Sequence, residues 1–132
     1  MNELTELASR ILAQLEEAHA EEITSTINTV TPMSGAAEEV TQAQSALIEL
    51  INFEYVRIAR DNESGRLVPL SKDQSILAVG TIVHRLHFSP SEDAWEWNRN
   101  FPMMEILATS AGLAKARELL NERGYEWWWR QN

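Results

Sequence analysis

Apolar residues recur at helical spacing from the start of the chain. Leu4, Leu7, Ala8, Ile11, Leu15 and Ala18 line one side of a helix over residues 3–22, and Glu3, Glu6, Arg10, Gln14, Glu17 and Glu21 fill the other. Glu6 and Arg10 stand in the i,i+4 order that favours an ion pair on a helix. The next stretch, ITSTINTVTPMSG, is rich in Thr and Ser and runs into Pro32 and Gly35, so the helix must fail within it. Ile23, Ile27 and Val30 extend a helical stripe, whereas the β-branched content favours a linker; the pattern leaves both open.

Residues 35–60 form the longest periodic segment. Val40, Ala43, Leu47, Leu50, Ile51, Tyr55 and Ile58 lie along one stripe, which Ile48, Val56 and Ala59 widen. This predicts one helix stopped by RDNESG, although FEYVRIAR also has strand propensity and DNESG suits a hairpin turn. In SKDQSILAVGTIVHRLHF, Ser71 and Gln74 have the spacing of a capping box, and Ile76, Val79, Val83 and Leu86 share a helical face. Helix is preferred there over the strand that the cluster Val79, Thr81, Ile82 and Val83 would suit. SPSEDAWEWNRNFP reads as a loop. Residues 102–123 read as a helix opened by Pro102, interrupted at Gly112 with Ser110 as a second start, and closed by Arg123 and Gly124.

The last nine residues, GYEWWWRQN, follow that stop. In an extended chain Tyr125, Trp127 and Trp129 would face one side, and Glu126, Trp128 and Arg130 the other. The expected fold is mainly α: a single domain over 1–132 with about four helices and a short C-terminal β or extended element. The alternative is α+β with a small antiparallel sheet in which VGTIVHRLHF pairs with the tail.

Composition narrows the function more than the fold. Hydrophobic content of 44% with 23% charged residues is that of a globular chain. There is no cysteine, which removes disulfides, thiolate nucleophiles and Cys-based metal sites and suits a reducing compartment. The acidic, amphipathic N-terminus lacks the basic start and apolar core of a signal peptide, so a soluble, cytoplasmic protein without a membrane segment is expected.

The net charge of −9 is one-sided. Residues 1–63 carry twelve acids and three bases, whereas residues 64–132 carry eight of each. The acidic half disfavours nucleic acid and suits a basic protein partner, or simply solubility.

Candidate chemistry is thin. His84 and His87 share a face only if their segment is helical, and Glu16 with His19 gives a single ExxH where carboxylate-bridged bundles need two. No metal site and no cofactor is therefore assigned. There is no G-x-S-x-G elbow, P-loop or dinucleotide fingerprint, so no catalytic residue is assigned either.

The tryptophans stand out. Three buried rings at about 150–250 Å² each would exceed the largest apolar patch of a typical monomer, so part of the WWW run must pack on the core. Trp128 and Arg130, on the lone side, together with Trp95 and Trp97 of the acidic loop, are the candidate binding residues.

The function expected is that of a non-enzymatic acidic interaction protein, a regulator, inhibitor or immunity-type protein that binds another macromolecule and itself forms a homodimer. The alternatives are a metal-dependent enzyme acting on a phosphorylated metabolite through Glu16, His19, Glu49, His84 or His87, and a small-ligand module with a Trp-lined pocket.

Overall fold

The computed structural model describes residues 4–62 and 64–129. In chain order the elements are α1 (Glu6–Ala18), β1 (Ala20–Glu22), α2 (Ile23–Val30), α3 (Ala37–Asn52), β2 (Val56–Asp61), β3 (Leu67–Pro69), α4 (Lys72–Val79), β4 (Leu86–Ser89), β5 (Ala94–Trp97), β6 (Met104–Ala108) and α5 (Ser110–Arg123). Four strands pair antiparallel in the order β1-β6-β2-β3, and β4 and β5 form a separate hairpin. The fold is therefore α+β, not the mainly-α bundle expected from periodicity. Helices still make up half of the chain, so helix content alone does not separate the two readings; the sheet does.

The reason lies in short apolar runs that satisfy both periods. In β6, Met104, Ile106 and Ala108 are buried and alternate with half-buried Glu105 and Leu107, a period of two. Residues 102–123 are thus a strand and then a helix, with Thr109 as N-cap accepting from the Gly112 amide at 3.0 Å. The 35–60 segment also divides. α3 stops at Asn52, Glu54 takes a left-handed φ of 62°, and Val56 and Ile58, two apart and both fully buried, belong to a strand. The turn after β2 is closed by the Asn62 carboxamide oxygen, which accepts from the Ser64 amide and hydroxyl and from the Arg66 amide.

The capping box is present. The Gln74 amide donates to the Ser71 hydroxyl at 3.1 Å, and the Ser71 amide donates to Gln74 Oε1 at 3.1 Å. The helix it opens ends at Val79, the first residue of the β-branched cluster, and a 3-10 turn over Ile82–His84 leads into β4. β4 pairs with β5, inside the expected loop, rather than with the tail. ITSTINTV, left open by its pattern, is helix α2. The described part of the tail, residues 124–129, is a series of bends and turns, not an extended strand.

Ile11, Leu12 and Leu15 of α1, Ile23 and Ile27 of α2, and Leu47, Leu50 and Ile51 of α3 pack in one cluster with Val56, Ile58 and Ile106 of the sheet. Strand alternation places Ala20, Glu22, Arg57, Ala59, Asp61, Glu105 and Leu107 on the opposite sheet face. Leu107 takes no part in the core cluster. The β4–β5 hairpin docks on α2 through Asn28, whose amide donates to the Trp95 carbonyl and whose carbonyl oxygen accepts from the Trp95 amide, both at 2.9 Å.

Candidate interaction surface

The four binding residues expected from the sequence divide. Trp95 and Trp97 lie two apart on β5 and are 6% and 9% exposed, so they are largely core rather than loop. Their indole N–H groups are both used: Trp95 Nε1 donates to Glu39 Oε1 at 3.0 Å and Trp97 Nε1 to the Phe101 carbonyl at 2.9 Å. Their outer edges border a polar groove of 710 Å³ with Thr24, Ser25, Asn28 and His87. None of the described tail residues lines that groove. Arg130 lies outside the described residues.

The tail is positioned by α5 and α1. Gly124, with φ of 99°, ends α5 while its amide bonds to the Leu120 carbonyl at 2.8 Å. The chain then turns back over α1, where Arg10 Nη1 donates to the Trp129 carbonyl at 3.1 Å. Trp127 lies beneath a pair of guanidinium groups, with Arg123 at 3.7 Å from its ring centre and Arg10 at 5.9 Å. Glu6 fixes both. It accepts two bonds from Arg123, at 2.9 and 3.1 Å, and one from Arg10 Nε at 3.0 Å. These partners, Arg123 first, hold the Glu6 carboxyl below its ordinary value against a smaller opposing push from burial.

The expected two-sided tail is not what forms. Trp127 is half-buried against the core, but Tyr125 is 64% exposed and Trp129 48% exposed, the reverse of the core side assigned to them. Trp128 is half-buried and tilts against Trp129 at 6.0 Å. A strand would have separated these rings by alternation; turns scatter them. Trp127 Nε1 is, among the described residues, the one buried side-chain polar atom without a hydrogen-bond partner. From Glu6 and Arg10 a groove of 340 Å³ runs past Leu7, Val30 and Pro32 to Glu39 and Gln42.

Sequence reasoning missed Glu39. Its position three residues into an acidic helix start resembles ordinary dipole compensation. Burial pushes its carboxyl up. Hydrogen bonds from the Ser34 amide and hydroxyl, at 2.9 to 3.1 Å, and from the Trp95 indole outweigh that push and leave it below its ordinary value.

The residues of the metal-enzyme alternative are dispersed. Glu16 meets Arg117, His19 caps α1, Glu49 accepts from the Thr5 amide and hydroxyl, and His87 meets Glu96. Among the described residues, no three His, Asp or Glu side chains converge as metal ligands. Among those residues, too, no helix is long and apolar enough to cross a membrane.

No family model matches this sequence, and neither a curated protein nor a solved structure matches it.

Proposed function

We propose that this chain is a non-enzymatic interaction protein, a regulator or inhibitor that binds another protein, with Tyr125, Trp128 and Trp129 at the contact. The observation that carries the reading is the exposed Tyr125 and Trp129 beside two arginines already oriented by Glu6. Trp, Tyr and Arg are the residue types most enriched in binding hot spots, and a guanidinium held in place loses less freedom on binding. The proposed partner is a cytoplasmic protein, the compartment suggested by the cysteine-free sequence. A homodimer through the same surface is part of the proposal.

The test is affinity capture from the native host with wild type and a Tyr125→Ala/Trp129→Ala double variant, compared by quantitative mass spectrometry. One protein, or the chain itself, held in stoichiometric amount by wild type and lost by the variant is the expected result. Equal capture by both, with unchanged circular dichroism, overturns the assignment of the surface.

A second reading has one observation in its favour, the polar groove beside Trp95 and Trp97. It proposes a small polar ligand there. A metabolite panel that leaves tryptophan emission and melting temperature unchanged removes it.

A further inference from the structure

Trp127 is where the tail packs on the core, and its indole nitrogen is buried there without a partner. Of the described tail residues it alone lies against the core cluster. The two tryptophans of β5 show the contrast: each buries its ring, and each donates its N–H. A donor buried without an acceptor forfeits the hydrogen bonds it makes in water. That cost falls on the packed position of the tail. It vanishes in a released position, where water meets the N–H.

The contacts that oppose this cost are polar and close to the surface. Arg123 lies over the Trp127 ring, Arg10 stands further off, and Arg10 Nη1 donates to the Trp129 carbonyl. Both arginines are set by one carboxylate. The Glu6 side chain is 53% exposed and that of Arg123 41% exposed, Arg10 being the more buried of the two bases. Ion pairs this open to solvent contribute little to stability, and salt weakens them. Gly124 joins the tail to α5 at a positive φ and has no side chain to restrict a pivot.

We propose that the tail is a hinged latch. It is closed while Glu6 aligns Arg123 and Arg10 over Trp127, and open when Trp127 leaves that seat and its indole N–H becomes free to donate. The open form adds Trp127 to the exposed rings of Tyr125 and Trp129. A partner that offers a carbonyl or carboxylate oxygen to this indole binds the open form better than the closed one and so draws the tail out. That last step rests on the reading of the tail as the contact surface; the opening itself does not.

The probe is the indole N–H, followed by heteronuclear NMR of the full chain with no partner present. In native-state hydrogen exchange Trp127 is expected to exchange at least about a hundredfold faster than Trp95, with little urea dependence, because a local opening exposes little surface. Relaxation dispersion is expected at the Trp127 indole and not at that of Trp95. Glu6→Gln is expected to speed Trp127 exchange about fivefold and to leave Trp95 within about twofold. Glu16→Gln, which removes an acid of the same helix from its pair with Arg117, is expected to change neither. Exchange of Trp127 and Trp95 at one rate and one urea slope would show that the tail leaves only on unfolding, and would overturn the proposal. Fast exchange with flat dispersion would overturn it too, because water would then reach the indole in its seat. Equal acceleration by Glu6→Gln and Glu16→Gln would remove Glu6 as the latch. Affinity capture that fails while Trp127 opens removes the contact surface and leaves the hinge, whereas capture that succeeds with Trp127 locked does the reverse.

Discussion

Glu39 and Trp95, 56 positions apart in the chain, are joined by a buried hydrogen bond of 3.0 Å from the indole N–H to the carboxylate. The bond ties the β4–β5 hairpin to the first turn of α3. Because Ser34 donates twice more to the same carboxylate, the approach to α3 is held at the same point. Glu39→Ala removes all of these acceptors at once and leaves a buried indole N–H with nothing to bond. The expected loss is about 2–3 kcal/mol, the range for hydrogen bonds to a charged group plus an orphaned donor. Urea unfolding followed by tryptophan emission measures it, and a loss below about 0.5 kcal/mol, the range of ordinary surface changes, would show that the bond is not structural.

Two carboxylates with opposite displacements give a pH test. Glu39 is held below its ordinary value of 4.5, so it contributes stability that is present above 4.5 and lost as pH falls through the folded-state value. Glu105 is held above 4.5 by burial and by the nearby charges of Asp61, Glu22 and Glu21, so its contribution runs the other way: full below 4.5 and lost as pH rises through the folded-state value. Glu105→Gln should therefore be more stable than wild type near neutrality, with the gain fading in acid. Glu39→Gln should be less stable near neutrality, with the deficit shrinking in acid. Urea titrations of both variants across the acid range check the signs, and parallel curves for wild type and Glu105→Gln would contradict the environment described for that residue.

The sequence pattern was sufficient for the body of α1, for the capping box at Ser71, and for the helix stop at Arg123–Gly124; the helix expected to run to residue 22 instead stops at Ala18, where His19 takes a left-handed φ of 66° and Ala20–Glu22 becomes strand β1. Each of the three legible features rests on residues within a few positions of one another, where spacing and local hydrogen bonding decide. The sheet was not legible in the same way. Met104, Ile106 and Ala108, or Val56 and Ile58, are too few to distinguish a period of two from the edge of a helical stripe, and their partners lie far along the chain. The candidate site shows the same division. That a fully exposed WWW run was untenable follows from ring area alone. Which ring is held depends on Arg10, Glu6 and Arg123, brought together by the packing of α5 on α1, and no local pattern encodes that.

Gly112 gives a test of the junction between β6 and α5. A Cβ at this position would collide with the Tyr55 carbonyl oxygen, and that oxygen also accepts from the Thr109 amide at 2.9 Å. In an open helix Gly→Ala is worth up to about 1 kcal/mol of added stability. Here the backbone carbonyl cannot rotate away as a side chain would, and Gly112→Ala is expected to destabilise by about 1–3 kcal/mol. Thermal melts of Gly112→Ala give the sign directly. A stabilised variant would mean that α5 can shift off Tyr55 at little cost.

Three consecutive tail residues differ in how firmly the fold holds them, and the proposed contact makes that difference testable. Trp127 is half-buried beneath Arg123, with Arg10 further off, and its truncation removes core contact together with the cation–ring contacts. Trp127→Ala should cost about 2 kcal/mol, roughly half the value for a fully buried tryptophan. Trp129 is bound to Arg10 through its backbone carbonyl, which a side-chain truncation keeps. Trp129→Ala should therefore cost about 1 kcal/mol or less, the value of its ring contact with Trp128, while removing exposed aromatic area from the proposed contact. Trp128→Ala loses the same ring contact and part of a half-buried surface, so its effect on stability should fall between the two. Chemical denaturation of the three variants, run beside the affinity capture, tests the order. If Trp129→Ala destabilises as much as Trp127→Ala, the outer ring is core like the inner one, and the tail ceases to be the contact surface.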